Sequence, residues 1–258
     1  MTDQDPLARL RDSLVARAGG YLRNPVRLAK VTCAVCARPA DGFVRCYQCR
    51  MHRYFDGLAD STAIMTYAVA GQQSGYVMRG YKATPQPVGE HRLVVALLAA
   101  LGVAGHTSCA AALAGAPVSH WATVPSLPAR PAEHPLHQIV RPYAPGADVA
   151  LTAAAPGRIQ HPRDVSPDHF TVGEQLTPGS HVLLLDDTWV TGGHAQSAAL
   201  ALRRAGAARI SLLVIARWMT RDTRAGERFL RDLEPRDYDP AACPWTGATC
   251  PASSARAA

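Results

Sequence analysis

Apolar and polar positions follow several different rhythms along this chain. Over residues 6–18, Leu7, Leu10, Leu14 and Val15 recur at helical spacing among Arg and Asp, which predicts a short amphipathic helix. Residues 33–52 break that rhythm with two cysteine pairs, Phe43, Tyr47 and little regular apolar pattern, and read as a small module of their own. Residues 63–81 carry strand-like apolar stretches interrupted by Gly71, Gly75 and Gly80, and a helical pattern follows over 90–101, so the main domain begins near residue 60. Residues 119–124 predict a short buried strand. Pro125, Pro128 and Pro131 make the loop after it stiff and non-helical, and Pro135 suits the first turn of a helix running through Leu136 and Ile139. Residues 148–153 are a further candidate strand, followed by a polar stretch to Glu174.

The clearest unit comes after Pro178 and Gly179. It predicts a strand over 181–185, a loop over 186–193, a helix over 195–205 stopped by Gly206, and a strand over 209–216. Uninterrupted apolar strands on either side of a helix are the pattern of a parallel sheet covered on both faces, hence an α/β fold with a central, mostly parallel sheet flanked by helices. Four regions follow: a helical lead over 1–29, the cysteine module over 30–56, the main domain over 60–233, and a Pro-, Ser- and Ala-rich tail over 234–258 expected to be ordered only in part.

Composition narrows this reading without deciding it. With 258 residues, 48% of them hydrophobic and 18% charged, the chain can bury a real core, which excludes a disordered or fibrous protein. Lys30 and Lys82 are the only lysines, so the net charge of +7 is carried almost entirely by arginine, the better bidentate partner for phosphate and carboxylate. Abundant Ala and Pro point to GC-rich coding as a compositional source of the same excess, so charge alone does not select a partner. The first ten residues are polar and acidic, unlike a signal peptide, and a cytoplasmic location is expected. The most apolar window, residues 93–105, is shorter than the roughly 18–20 residues of a membrane helix and is closed by His106, Thr107 and Ser108, which predicts a buried helix and no membrane partner. Seven cysteines in a reducing compartment point to metal or catalysis before disulfides.

Ligands of open α/β sheets bind beyond the carboxyl ends of the strands, so Asp186 and Asp187 stand at the functional edge. Thr188, Thr191, Gly192 and Gly193 follow and then a helix opens, so backbone N–H groups near 192–195 converge on an anion with the helix dipole behind them. Carboxylates that accept from sugar hydroxyls beside a phosphate cradle suit a ribose 5-phosphate. No G-x-G-x-x-G follows a strand and no Gly-Lys-Ser/Thr is present, which excludes the dinucleotide and P-loop readings. Cys33-x2-Cys36 and Cys46-x2-Cys49, nine residues apart, predict a closed tetrahedral zinc site in a segment too small to fold on its own core. Cys243 and Cys250 bracket six residues and leave a second metal clip, a disulfide or plain tail cysteines open. Cys109 reads as a small buried hydrophobe, and Trp121 and Trp218 as core.

The stretch HVLLLDDTWVTGGHAQS, residues 181–197, resembles the phosphoribosyl-pyrophosphate (PRPP) binding motif of type I phosphoribosyltransferases. That resemblance implies the fold of that family, with Asp186 and Asp187 as the catalytic pair on the ribose 2- and 3-hydroxyls. Thr188, Val190, Thr191, Gly192, Gly193, His194 and Ala195 would wrap the 5-phosphate. His194 stands where the family has a second Thr, and can donate to phosphate when protonated or from one neutral tautomer. With the N-terminal zinc ribbon, residues 30–220 are similar to the competence-associated ComF family. The resemblance implies transfer of the phosphoribosyl group to a nitrogen acceptor with pyrophosphate release, a structural Zn²⁺, and Mg²⁺ arriving with PRPP. The pyrophosphate would meet the loop 124–130 through Ser126 and Arg130, with Arg158 and Arg163 nearby. Tyr81 and Lys82 are similar to a ComF-like Tyr-Lys motif, and residues 71–82 read as a mobile hood. The alternative is a non-catalytic accessory protein of DNA uptake, recombination or repair that binds PRPP or a nucleotide and docks DNA or a partner protein through the ribbon. Arg38, Arg45, Arg50 and Arg53 surround the predicted metal and favour that alternative. A homodimer stays open.

Overall fold

Three runs of near-continuous apolar residues form the middle of the molecule: β1 (Ser61–Val69), β6 (His181–Trp189) and β7 (Arg209–Met219). The computed structural model describes residues 5–83, 89–129, 132–155, 157, 159 and 161–254. With β2 (His120–Thr123) and β3 (Ala147–Asp148), these strands build a five-stranded, all-parallel sheet in the order β1-β7-β6-β2-β3. A separate antiparallel pair, β4 (Leu151–Ala153) and β5 (Phe170–Val172), lies outside it.

The period-two alternation of the central strands explains why both faces are covered. Leu183, Leu185, Leu213 and Ile215 point to one face, where they pack with α1 (Pro6–Ala18), the long α4 (Gly89–Ala114) and α5 (Pro135–Val140). Val182, Leu184, Leu212 and Val214 point to the other, against α6 (Gly193–Arg204) and the cysteine module, whose α2 spans Tyr47–His52. Each such leucine or valine taken from water contributes about 1.5–3 kcal/mol. α3 (Gln73–Gly80) sits beyond β1, and α7 (Arg224–Leu233) packs Leu230 and Leu233 against Tyr67 and Met219.

Several local expectations change. Residues 73–80 are not a broken strand: Gly75 and Gly80 lie inside α3, where a Cβ would stand 2.2 Å from the Val69 carbonyl oxygen at the first and 2.3 Å from His91 Nδ1 at the second. Close approach, not chain breaking, requires these glycines. His106, Thr107 and Ser108 do not close the apolar helix. α4 continues through them for 26 residues, with Thr107 Oγ1 donating back to the Val103 carbonyl at 2.6 Å. By length and mean hydropathy of 1.9 it could cross a membrane, yet 67% of that window is buried inside the protein. The candidate strand over 148–153 divides between β3 and β4 in different sheets. The cysteine module is no detached appendage either. Tyr67 Oη donates to the Ala37 carbonyl at 2.6 Å, and the Arg27 guanidinium reaches the carbonyls of Thr62 and Ala34 at 2.6 and 3.2 Å. Beyond Glu234, Tyr238, Cys243 and Trp245 are buried in the main core, and α8 (Pro251–Ser254) ends the described chain.

Candidate functional site

Strand β6 runs farther than its apolar residues. Asp186 and Asp187 lie within its paired part, because β7 continues opposite them and Asp186 sits in register with Val214, Thr188 with Ala216 and Trp189 with Arg217. The loop is therefore only residues 190–192. It ends at Gly192 in the left-handed region (φ 90°), and a Cβ there would lie 2.3 Å from the Trp189 ring, so only glycine makes this turn into α6. The Gly193 N–H, which starts the helix, faces Thr191 Oγ1 at 3.4 Å. Thr191 Oγ1 in turn donates to the Arg163 carbonyl at 3.0 Å, and that carbonyl lies so close over Gly193 that a Cβ would meet it at 2.0 Å. Residues 163–164 thus pack against the first turn of α6 at Gly193.

The acid pair is buried, 8% exposed at Asp186 and 5% at Asp187, and its two members have different surroundings. Asp186 Oδ1 accepts the Asp187 N–H at 2.9 Å. Asp187 Oδ2 accepts from Tyr81 Oη, forms an ion pair with Lys82 Nζ and has His134 Nε2 at 3.7 Å. Burial and then the neighbouring Asp187 push the Asp186 carboxyl up to about 8, against the opposing pull of Lys82 and of two backbone donors. Burial also works to raise Asp187, but Lys82, His134 and Tyr81 hold it below the ordinary carboxylate value. At neutral pH one acid of the pair is therefore charged and the other holds a proton, and Lys82 supplies the counter-ion. Burial, reinforced by Asp187, keeps the Tyr81 hydroxyl protonated as a donor.

This asymmetry has a measurable consequence for stability. The folded pKa of Asp186 lies above the unfolded value of about 3.9, so the folded state binds an extra proton between about pH 4 and pH 8 and loses stability as pH rises through that window. Asn at 186 resembles the protonated acid and cannot ionise. Asp186→Asn is expected to raise the melting temperature by a few degrees at pH 9 and by much less at pH 5, measured by calorimetric scans. An equal shift at both pH values would contradict the assignment of the proton to Asp186.

Two clefts flank the acids. One of about 490 Å³ opens above β2 and β3 and is lined by Ser126, His134, His137 and Asp148. The other, about 660 Å³, opens above β6 and β7 and is lined by Thr188, Val190 and Thr191 together with Arg38, Arg79, Arg163 and Arg217. The sequence-predicted Ser126 and the threonine loop thus face different clefts, with the acids between them and His134 joining the first cleft to Asp187. Arg130 and Arg158 lie outside the described residues. Burial lowers the pKa of His194, and its ring bonds to the Pro162 carbonyl, so it sits there as a neutral imidazole. Tyr81 and Lys82, singled out in the sequence, do reach the acids.

Two residues that the structure brings to this candidate site carried no assignment in the sequence. His134 caps α5, its Nδ1 accepting the Leu136 N–H at 3.2 Å, which leaves the Nε2 proton on the side of Asp187. Arg217 is 2% exposed and donates to the Trp189 and Val190 carbonyls at 2.5 and 2.6 Å, fixing the shape of the loop. An arginine ending the apolar run RISLLVIA at the functional edge was the available signal.

The cysteine module suits a metal. Cys33, Cys36, Cys46 and Cys49 are all buried, their four sulfurs lie within 4.8 Å of one another, and Cys36 Sγ stands 3.6 Å from Cys46 Sγ. Zn–S bonds of about 2.3 Å arranged tetrahedrally put sulfurs about 3.8 Å apart, so this donor set could hold zinc with little movement. No protein-family model, curated protein or solved structure matches the chain.

Proposed function

We propose that this protein binds PRPP between the acid pair and the 188–195 loop, on a type I phosphoribosyltransferase fold, and transfers the phosphoribosyl group to a nitrogen acceptor. The observation that carries the reading is the buried Asp186–Asp187 pair at the carboxyl end of the central strand, followed within five residues by a left-handed Gly192 that opens a helix. The acids accept the ribose hydroxyls, and the amides at the start of α6 with Thr188 and Thr191 receive the 5-phosphate. The diphosphate would then face the cleft lined by Ser126 and His134, and Mg²⁺ bound to it would offset its charge. A nitrogen lone pair attacks C1 as the C1–oxygen bond to the diphosphate breaks, and the acceptor loses a proton. The site contributes positioning and stabilisation of a cationic sugar in place of a covalent intermediate.

Pyrophosphate release from Mg²⁺–PRPP, followed across purine, pyrimidine and amine acceptors, tests turnover. Release is expected with one acceptor class and to vanish in Lys82→Ala; no release with any acceptor would remove the transferase reading.

A second reading has an observation of its own. Phe43, Tyr47 and Tyr54 are exposed on the ribbon beside Arg45, Arg50 and Arg53, and the Arg50 guanidinium lies 4.6 Å from the Phe43 ring centroid. Stacking rings among arginines suit single-stranded nucleic acid, as an accessory protein would need. Binding of single-stranded DNA should then weaken steeply with salt. Replacing the three arginines by alanine should lower the log–log slope by about 2, at about 0.7 per phosphate contact. A flat salt dependence would reject this reading.

A further inference from the structure

We infer a second structural zinc site, formed by His106 and Cys109 of α4 with Cys243 and Cys250 of the C-terminal segment. Residues 106 and 109 are three apart on one helix and so share a face. The remaining two ligands come from a loop more than a hundred residues later, and the four ligand atoms converge within 4.8 Å of one another. His106 Nδ1 stands 3.7 Å from Cys109 Sγ and 3.5 Å from Cys250 Sγ. A tetrahedral zinc with Zn–S of about 2.3 Å and Zn–N of about 2.0 Å requires sulfur–nitrogen edges of about 3.5 Å, so these separations already suit the ion. His106 is 2% exposed, Cys109 1% and Cys243 0%, and Cys250 is half-buried, so three of the four donors are withdrawn from water and the fourth lies at the edge of the cluster.

The loop that carries the two tail cysteines is folded to present them together. The Gly247 N–H bonds to the Cys243 carbonyl at 2.7 Å and the Cys243 N–H to the Ala248 carbonyl at 3.0 Å, with Gly247 in the left-handed region (φ 76°). Thr246 Oγ1 closes the far side on the Thr249 carbonyl at 2.9 Å. Trp245 between them is anchored to the same helix, its Nε1 donating to the His106 carbonyl at 3.2 Å. With this site the seven cysteines of the chain divide completely into two donor sets, four in the ribbon and three with His106. A disulfide would join only two of the three thiols here and leave the third facing a buried imidazole.

The position gives the ion a purpose. β1 is an edge strand, and the C-terminal segment lies along it: the Ile64 N–H reaches the Pro244 carbonyl at 3.3 Å and Tyr238 Oη the Met65 carbonyl at 3.3 Å. Pinning residues 243–250 to α4 clamps that cover over the edge and ties the last part of the chain to the central core helix. The site has four protein ligands, which marks it as structural.

The test uses the full chain purified without chelator. Native mass spectrometry and elemental analysis are expected to give two zinc ions per chain. Zinc-edge X-ray absorption should give an average shell of seven sulfurs and one nitrogen shared over two ions. A Cys243→Ser, Cys250→Ser variant should retain one zinc with an all-sulfur shell. Because that variant can fail to fold, the wild-type count and shell decide the matter by themselves. One zinc per chain with only sulfur ligands would overturn the inference, as would a disulfide among Cys109, Cys243 and Cys250 in non-reduced peptide maps.

Discussion

Replacing Cys36 and Cys49 by serine is expected to remove the ribbon metal and to lower the melting temperature by on the order of 10 °C or more. The ribbon residues Cys33, Cys36, Ala37 and Ala40 belong to the same buried cluster as Ile64 and Val214 of the sheet and Trp189 beside the loop. The module has no apolar core of its own, and zinc supplies on the order of 10–16 kcal/mol to comparable peptide modules, similar to or above the whole stability of a typical domain. Even a third of that amount, at about 2–4 °C per kcal/mol in a chain of this size, shifts melting by 10 °C or so. Loss of the ribbon also withdraws Ala37 from the Tyr67 hydroxyl and Ala34 from Arg27, both of which bind the module to β1. The measurement is a pair of thermal scans on wild type and variant, each with and without a strong chelator. Chelator should lower wild type by more than it lowers the variant, which keeps only the second cluster at His106, Cys109, Cys243 and Cys250, and the two should melt alike once all metal is stripped. An unchanged wild-type melting temperature after complete metal removal would contradict a stabilising ribbon metal.

How far the sequence reaches depends on whether a residue's role is local. The β6–α6–β7 unit was legible because its apolar runs are uninterrupted and Gly206 ends the helix, and helix α1 was read to its observed ends. The ribbon cysteines were legible from spacing alone, since two short knuckles bring four thiols together whatever surrounds them. The end of β6 was not legible: two aspartates after a run of leucines look like a loop, and only the partner strand β7 extends the pairing through them. Gly75 and Gly80 look like breakers to a local reading, but they answer to Val69 and His91 across the fold. His134 gave no signal because its partner Asp187 is far away in sequence, and the tail cysteines gave half of one, since the other half lies in α4. At the candidate site the sequence named the acids, the threonine loop and the Tyr81–Lys82 pair, which the structure brings near one another, but not the buried arginine that shapes the loop.

The largest functional effect is expected at the acid pair. In the present arrangement Tyr81, Lys82 and His134 hold Asp187 charged while Asp186 keeps a proton, so two full negative charges do not meet in the buried site; on the proposed reading the pair accepts two ribose hydroxyls. A hydrogen bond to the charged Asp187 contributes about 1.5–3 kcal/mol and one to the neutral Asp186 about 0.5–1.5 kcal/mol, so losing both acids costs on the order of 100-fold in affinity for a ribose phosphate. Thr188 and Thr191 remain in such a variant, so residual binding of inorganic phosphate is expected, which separates loss of the sugar contacts from loss of the loop. Titration calorimetry of the native chain with PRPP and Mg²⁺, beside an Asp186→Ala, Asp187→Ala variant whose circular dichroism is native, tests the account most directly. Saturable binding by the native protein and a loss on the order of 100-fold in the variant are the predicted results. No binding by the native protein, or equal binding by the two, would contradict it.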